Sequence, residues 1–261
     1  MRVYDNSGKG MAIEMIDDIV VSVSDGVATL RLNRPDRLNA LSWELMERLG
    51  LEVRAAGDNP AVRCVIVTGT GRAFSSGLDL TDTGSGAPEH MADNVSNAMR
   101  AYVDPLCQCL LNSPVPVVAA VNGVCAGGAV GLALLADVTI AARSSYFYIP
   151  HVVALGIVPD LGMTWTLPRV IGRARALGMA LLGDRISAEE AQRWGLIWGC
   201  VDNADLEMEA AAVGAWLAQL NRGAASRTRA LFDQASSTSL DDQLEGERTE
   251  VRDLIERASR G

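Results

Sequence analysis

Positive charge is in short supply in this chain: 23 Lys and Arg face 32 Asp and Glu, for a formal net charge of −9. Nucleic acids and anionic membrane surfaces both demand a basic face, so neither is expected as a partner. Histidine is scarcer still, with only His90 and His151, and a histidine-based metal centre is therefore not expected. The five cysteines, Cys64, Cys107, Cys109, Cys125 and Cys200, are odd in number and scattered through mostly apolar surroundings. That usage fits reduced thiols in a cytoplasmic protein rather than a disulfide framework. Cys107 and Cys109 form a CxC pair with no further ligand nearby. The opening MRVYDNSGKGMAIEM lacks an apolar stretch followed by a cleavage pattern, so it reads as a mobile extension and not as a signal peptide.

Charge is absent altogether from residues 105–136, a run long enough to raise the question of a membrane span. Pro114, Pro116, Asn122 and the glycines cut it into a strand, a turn and a short helix, and such breaks need buried partners in lipid. Apolar content is plentiful, at 49% of 261 residues. That is enough for an ordinary core, in one large domain or in a domain with an appendage.

Residues 19–23 and 27–32 flank Asp25-Gly26, a pair that supplies the positive φ values of a tight hairpin. Leu45, Leu49 and Val53 recur every four residues, which predicts an amphipathic helix over 42–57. Residues 64–68 (CVIVT) read as a buried strand that runs into the loop GTGRAFSSG, followed by a helical stretch over about 91–112. A second strand at 117–121 enters VCAGGAVGLALLAD, and a third spans 138–142. Ser187 and Glu190 have the spacing of a capping box. Helices are predicted over 206–220, 226–235 and 240–257; too polar to stand alone, they need the main domain or another subunit to dock on. Strand, glycine turn and helix recur, as in a spiral of similar turns.

The two glycine loops raise the chemical question. Glycine lets a ligand approach the backbone, and a helix that starts at such a turn aims free N–H groups at it. A helix starting near Gly127 or Gly128 would present one N–H, and the turn at Gly77 would present that of Leu78. Together two such donors make a hole for a developing oxyanion; from spacing alone, both loops read more readily as tight strand-to-helix packing turns. Neither loop spells GxGxxG after its strand, which argues against dinucleotide binding. No GxSxG elbow appears either, which argues against a serine hydrolase.

Taken as a set, NRPDRLNAL, GRAFSSGLDL, PVVAAVNGVCAGGAVGLALLADVTIAA and GIVPDLGMTWTLPRVIGRARALGMALLGDRISAEEAQRWGLIW resemble the enoyl-CoA hydratase/isomerase (crotonase) superfamily. Residues 156–198 look most similar to its 1,2-epoxyphenylacetyl-CoA isomerase-type members. The resemblance implies an α/β fold, a ClpP/crotonase-like ββα spiral core over 17–205, preceded by a flexible extension over 1–16. It also implies a C-terminal helical region over 206–261 that builds a homotrimer or a dimer of trimers. The substrate it implies is an acyl-CoA thioester whose carbonyl is polarised by the N–H groups of Leu78 and Gly128. Coenzyme A is then part of the substrate, and no separate cofactor is expected. Arg37, Leu38 and Ala40 match the segment lining the CoA arm, while Ala73, Ser75, Ser76, Gly77 and Asp79 match its adenine and pantetheine side. Arg72 is a candidate for a CoA phosphate, although both arginines are also readable as surface charge, and Asp79 as a loop-fixing group.

Hydratases of that family use two glutamates. Here the first position is Gly131, and the second falls at His151 or Val152. Without both carboxylates, water addition lacks its acid and base, and isomerisation is favoured over hydration or over mere acyl-CoA binding. Asp160 stands where some isomerases of the family carry an acidic residue, and one carboxylate suffices to take a proton from one carbon and return it to another. As a residue on its own, Asp160 is also a candidate helix N-cap. His151 is either a pocket-lining group or a satisfied buried histidine. Asp137 matches a structural aspartate, and Met163 replaces a usual glycine near the pocket.

Overall fold

A computed structural model describes residues 14–16, 18–81 and 90–259. Strands β1 (Glu14–Ile16), β2 (Ile19–Ser24) and β3 (Val27–Leu32) pair antiparallel in sequence order. The β2–β3 turn uses Asp25 and Gly26 at φ 51° and 79°, the left-handed pair that suits a two-residue hairpin. The expected extension ran to residue 16, yet the chain already enters the sheet at Glu14; residues 1–13 lie outside the described residues. Helix α1 (Trp43–Asp58) starts at Ser42, whose hydroxyl accepts from the Leu45 amide.

Three ββα turns follow. Strands β4 (Cys64–Gly69) and β5 (Ala73–Ser75) lead to α2 (Met91–Ala98), a π-helical turn at Met99–Val103, and α3 (Asp104–Leu111). Strands β6 (Val117–Val121) and β7 (Val124–Ala126) lead to α4 (Gly128–Leu134). Strands β8 (Val138–Ala142) and β9 (Tyr146–Tyr148) lead through a π-turn at His151–Leu155 to α5 (Met163–Leu182). The chain closes with β10 (Ile186–Ser187), α6 (Ala188–Trp194), β11 (Gly199–Val201), α7 (Leu206–Ala218), α8 (Arg222–Gln234) and α9 (Leu240–Ala258).

The first strand of each turn joins a large sheet ordered β1-β2-β3-β4-β6-β8-β11, and the second joins a small sheet ordered β10-β9-β7-β5. From β3 onward the large sheet is parallel. Every residue of β4 and β6 is buried, which is why those strands read as unbroken apolar runs rather than alternating ones. The main core fills one side of the large sheet; α7 covers the other, where Leu206 and Ala210 meet Ile66, Val118 and Ile140. Helices α8 and α9 bury no residue, so their own apolar faces do not hold them. Arg229 fastens α8 instead, pairing with Asp137 at 2.6 Å and donating to the carbonyls of Leu110 and Leu111. Helix α8 begins at Arg222, before the expected 226, because Asn221 caps it by accepting from the Ala224 amide. Ser187 likewise accepts from the Glu190 amide, but the Glu190 carboxylate pairs with Arg193.

Candidate active site

The loop after β5 is held against residues 38–41 by three main-chain bonds. Ser76 N donates to Leu38 O, Leu41 N to Gly77 O, and Asp79 N to Leu41 O, at 2.8–3.0 Å. Leu41 and Leu78 form an isolated parallel bridge, and in that pattern the bonds on either side of Leu78 face Leu41 while its own N–H faces the other way. Gly77, the residue before Leu78, lies against the turn into α4. A Cβ on Gly77 would lie 2.7 Å from Ala126 O and 3.2 Å from Gly128 N, so only glycine, at φ 92°, fits between the two loops. Gly128 is the first residue of α4, after Gly127 at φ 58°. Among the described residues, neither the Leu78 N–H nor the Gly128 N–H has an acceptor.

Asp160 approaches the same turn. Its Oδ1 would be 3.2 Å from a Cβ on Gly128, and it meets His151 Nε2 at 3.2 Å. The N-cap alternative for Asp160 is overturned: Gly162 caps α5 at φ 73°, and Asp160 offers Met163 only its carbonyl. His151 is 3% exposed. The expectation of a satisfied buried histidine also needs correction, since its buried Nδ1 has no partner among the described residues. Leu161, held at φ 44°, closes the space beside Gly131, where a Cβ would lie 2.3 Å from Leu161 O. Met163 is fully buried in the main core.

Several candidates from the sequence turn out to be occupied by the protein itself. Asp79 is buried and accepts from the Thr81 hydroxyl at 2.6 Å and from Arg34 at 3.0 Å. These contacts, the Thr81 hydroxyl foremost, hold its carboxyl below the ordinary 3.8. Arg37, half exposed, donates to Thr81 Oγ1 at 2.9 Å. Ser75 is fully buried and accepts from Gly77 N, Ala40 and Ala73 are buried, and Leu38 sits in the left-handed region at φ 51°. Arg72 lies exposed in the turn just before β5. Asp137 accepts from Val117 N besides pairing with Arg229; burial raises its carboxyl, and Arg229 opposes that rise.

Three groups escaped the sequence reading. Asn39, fully buried at φ 54°, donates to Thr70 O and Ala73 O, and Asn122 donates to Gly71 O and Ala73 O. Both shape the entry to β5; for Asn39, an asparagine able to enter αL was the available signal. Cys107, on α3, lies close enough to Asp160 to feel its charge: burial first, then Asp104 and Asp160, push the thiol up to about 11. Nothing in the local sequence links positions 107 and 160.

A family model described as enoyl-CoA hydratase/isomerase matches residues 22–261. The chain is 40% identical to a 1,2-epoxyphenylacetyl-CoA isomerase of Escherichia coli, over 90% of this chain and 88% of that one. It is 42% identical to a Rhodobacter capsulatus protein named "Probable enoyl-CoA hydratase", over 85% and 83% of the two chains. Among solved structures, an enoyl-CoA hydratase from Bacillus anthracis superposes with a TM-score of 0.84 at 30% identity, covering 92% of both chains.

Proposed function

Because the chain belongs to the enoyl-CoA hydratase/isomerase family, we propose that it is an acyl-CoA isomerase that stabilises a thioester enolate with the Leu78 and Gly128 amides and moves the proton with Asp160. The carrying observation is the pairing of a single carboxylate beside Gly128 with a closed position at Gly131. Loss of the proton from the carbon next to the thioester sends its electron pair into the carbonyl oxygen. Two preorganised N–H donors stabilise that oxygen most when it is charged, which lowers the barrier of this step. Asp160 holds the proton and returns it to another carbon, so no water is consumed. A second carboxylate, which would orient water for addition, has no room at Gly131. No separate cofactor is required.

The substrate that best suits the chain's likeness to the Escherichia coli protein is 1,2-epoxyphenylacetyl-CoA, followed by a 3-enoyl-CoA whose double bond shifts to the 2-position. Arg72 and Arg37 are the groups offered to the CoA phosphates. Assembly as a homotrimer or dimer of trimers is part of the same proposal, supported by apolar side chains left in solvent, among them Trp198, Trp216 and Phe232. Among the described residues no helix is long and apolar enough to cross a membrane.

A panel of CoA thioesters followed by mass and ultraviolet spectra tests the reaction. Isomerisation gives a spectral change without mass change. Asp160→Asn should lower that rate on the order of 10²- to 10⁴-fold with thioester binding retained. Gain of the mass of water with crotonyl-CoA would make the chain a hydratase, and unchanged thioesters throughout would leave a binding protein.

A further inference from the structure

Deepening the function proposed above, on which it rests, we infer that His151 is a positioning residue whose Nε2–H donates to Asp160 Oδ1 and leaves Oδ2 as the oxygen that handles the substrate proton. The two groups are 3.2 Å apart, with side-chain exposures of 4% for His151 and 17% for Asp160. Among the described residues the imidazole is the carboxylate's only hydrogen-bond partner. Without it, rotation of the Asp160 side chain is unopposed by any polar contact, and either oxygen can turn to the substrate.

The protonation state follows from the other nitrogen. Among the described residues His151 Nδ1 is buried and without a hydrogen-bond partner, so a proton there would be an N–H donor with no acceptor among them. Both the imidazolium and the Nδ1–H tautomer carry that cost, and the imidazolium carries buried charge as well. The neutral Nε2–H form spends its only donor on Asp160 and leaves merely a lone pair unmatched. Asp160 then has to accept at Oδ1 as a carboxylate, the form that removes a proton.

Local backbone puts the ring there. Residues His151–Leu155 form a π-turn, whose wider coil is a feature often found at functional sites. The ring lies against the glycine turn, with Cε1 4.0 Å from where a Cβ on Gly127 would stand. In the first half of the reaction the C–H electron pair passes to the thioester as the enolate, and the proton passes to Oδ2. In the second half Oδ2 gives that proton to the distant carbon, where the π pair of the old double bond makes the new C–H bond; the enolate C=C pair becomes the new double bond, and an oxygen pair restores the carbonyl. His151 neither gains nor loses a proton; it keeps Oδ2 aimed along both carbons.

Kinetics on trans-3-hexenoyl-CoA and nitrogen-15 NMR of histidine-labelled protein test this together. His151→Phe should lower kcat about tenfold to a hundredfold, the value of a hydrogen bond to a charged group, with KM nearly unchanged. His151→Gln, whose amide can donate from a similar place, should recover much of kcat. Only His90 and His151 contribute to the spectrum; His151 should show a protonated Nε2 and a bare Nδ1, and Asp160→Ala should shift its Nε2 signal and leave that of exposed His90 in place. Full kcat in His151→Phe, failure of His151→Gln to exceed His151→Phe, or an Nδ1–H or imidazolium signal at neutral pH would each overturn the inference. Should Asp160→Asn itself keep full turnover, the proposed function fails along with it; an inactive Asp160→Asn beside a fully active His151→Phe fails the inference alone.

Discussion

Gly131 decides more chemistry than its lack of a side chain suggests, because the space a Cβ would need is taken by Leu161 main chain. The sequence shows that no carboxylate stands there; it does not show that none fits, since that depends on Leu161, thirty positions on, adopting φ 44°. Gly131→Glu should therefore neither create hydration activity nor fold well. Overpacking of this kind costs about 1–3 kcal/mol or more, read as a fall of several degrees in Tm. A Gly131→Glu protein with wild-type Tm that hydrates crotonyl-CoA would contradict it. Asp160 was legible as a candidate, but whether its side chain caps a helix depended on Gly162, whose positive φ takes the cap position and leaves the carboxylate to His151. The contact with His151 joins residues across a π-turn, a local widening that hydrophobic periodicity does not reveal.

At the scale of elements, residues 76–81 after β5 are pinned by Asp79 at the centre of Thr81, Arg34 and Arg37. Sequence reading placed Asp79 and Arg37 beside the ligand; both also take part in shaping residues 76–81, as does Arg34, which pairs with Asp79 at 3.0 Å and which nothing in the sequence singled out. The carboxyl of Asp79 is held below 3.8 in the folded chain. Its stabilising contacts are thus fully present above about pH 4, the ordinary carboxylate value, and lost as pH falls through the lower folded value. Asp79→Ala should cost about 2 kcal/mol at pH 7, with the difference in Tm from wild type narrowing at pH 3. An equal difference at both pH values would show that the charge on Asp79 contributes nothing. Strand and helix identities were the readable part, since the β2–β3 hairpin, α1, β4, β6 and β8 all carry strong local periodicity or turn residues. Their boundaries at α8 and the split of 91–112 by a π-turn were not readable.

Over the whole molecule, the spiral was visible as recurrence of strand, turn and helix, whereas the division into two sheets was not: β5, β7 and β9 are three residues each, too short to show a period. The C-terminal hairpin of α8 and α9 leaves Phe232, Leu240, Val251 and Ile255 in solvent, apolar side chains that a partner chain in the proposed assembly would cover. Sedimentation analysis should return a mass three or six times that of the chain, and a monomer at micromolar concentration would contradict the proposed assembly.

The catalytic proposal as a whole comes down to where one oxygen atom sits. A crystal structure with a non-reactive acyl-CoA analogue should place its thioester oxygen about 2.7–3.1 Å from the amide nitrogens of both Leu78 and Gly128, with Asp160 Oδ2 facing the adjacent carbon. A thioester oxygen bound elsewhere, or within reach of only one of those amides, would contradict it.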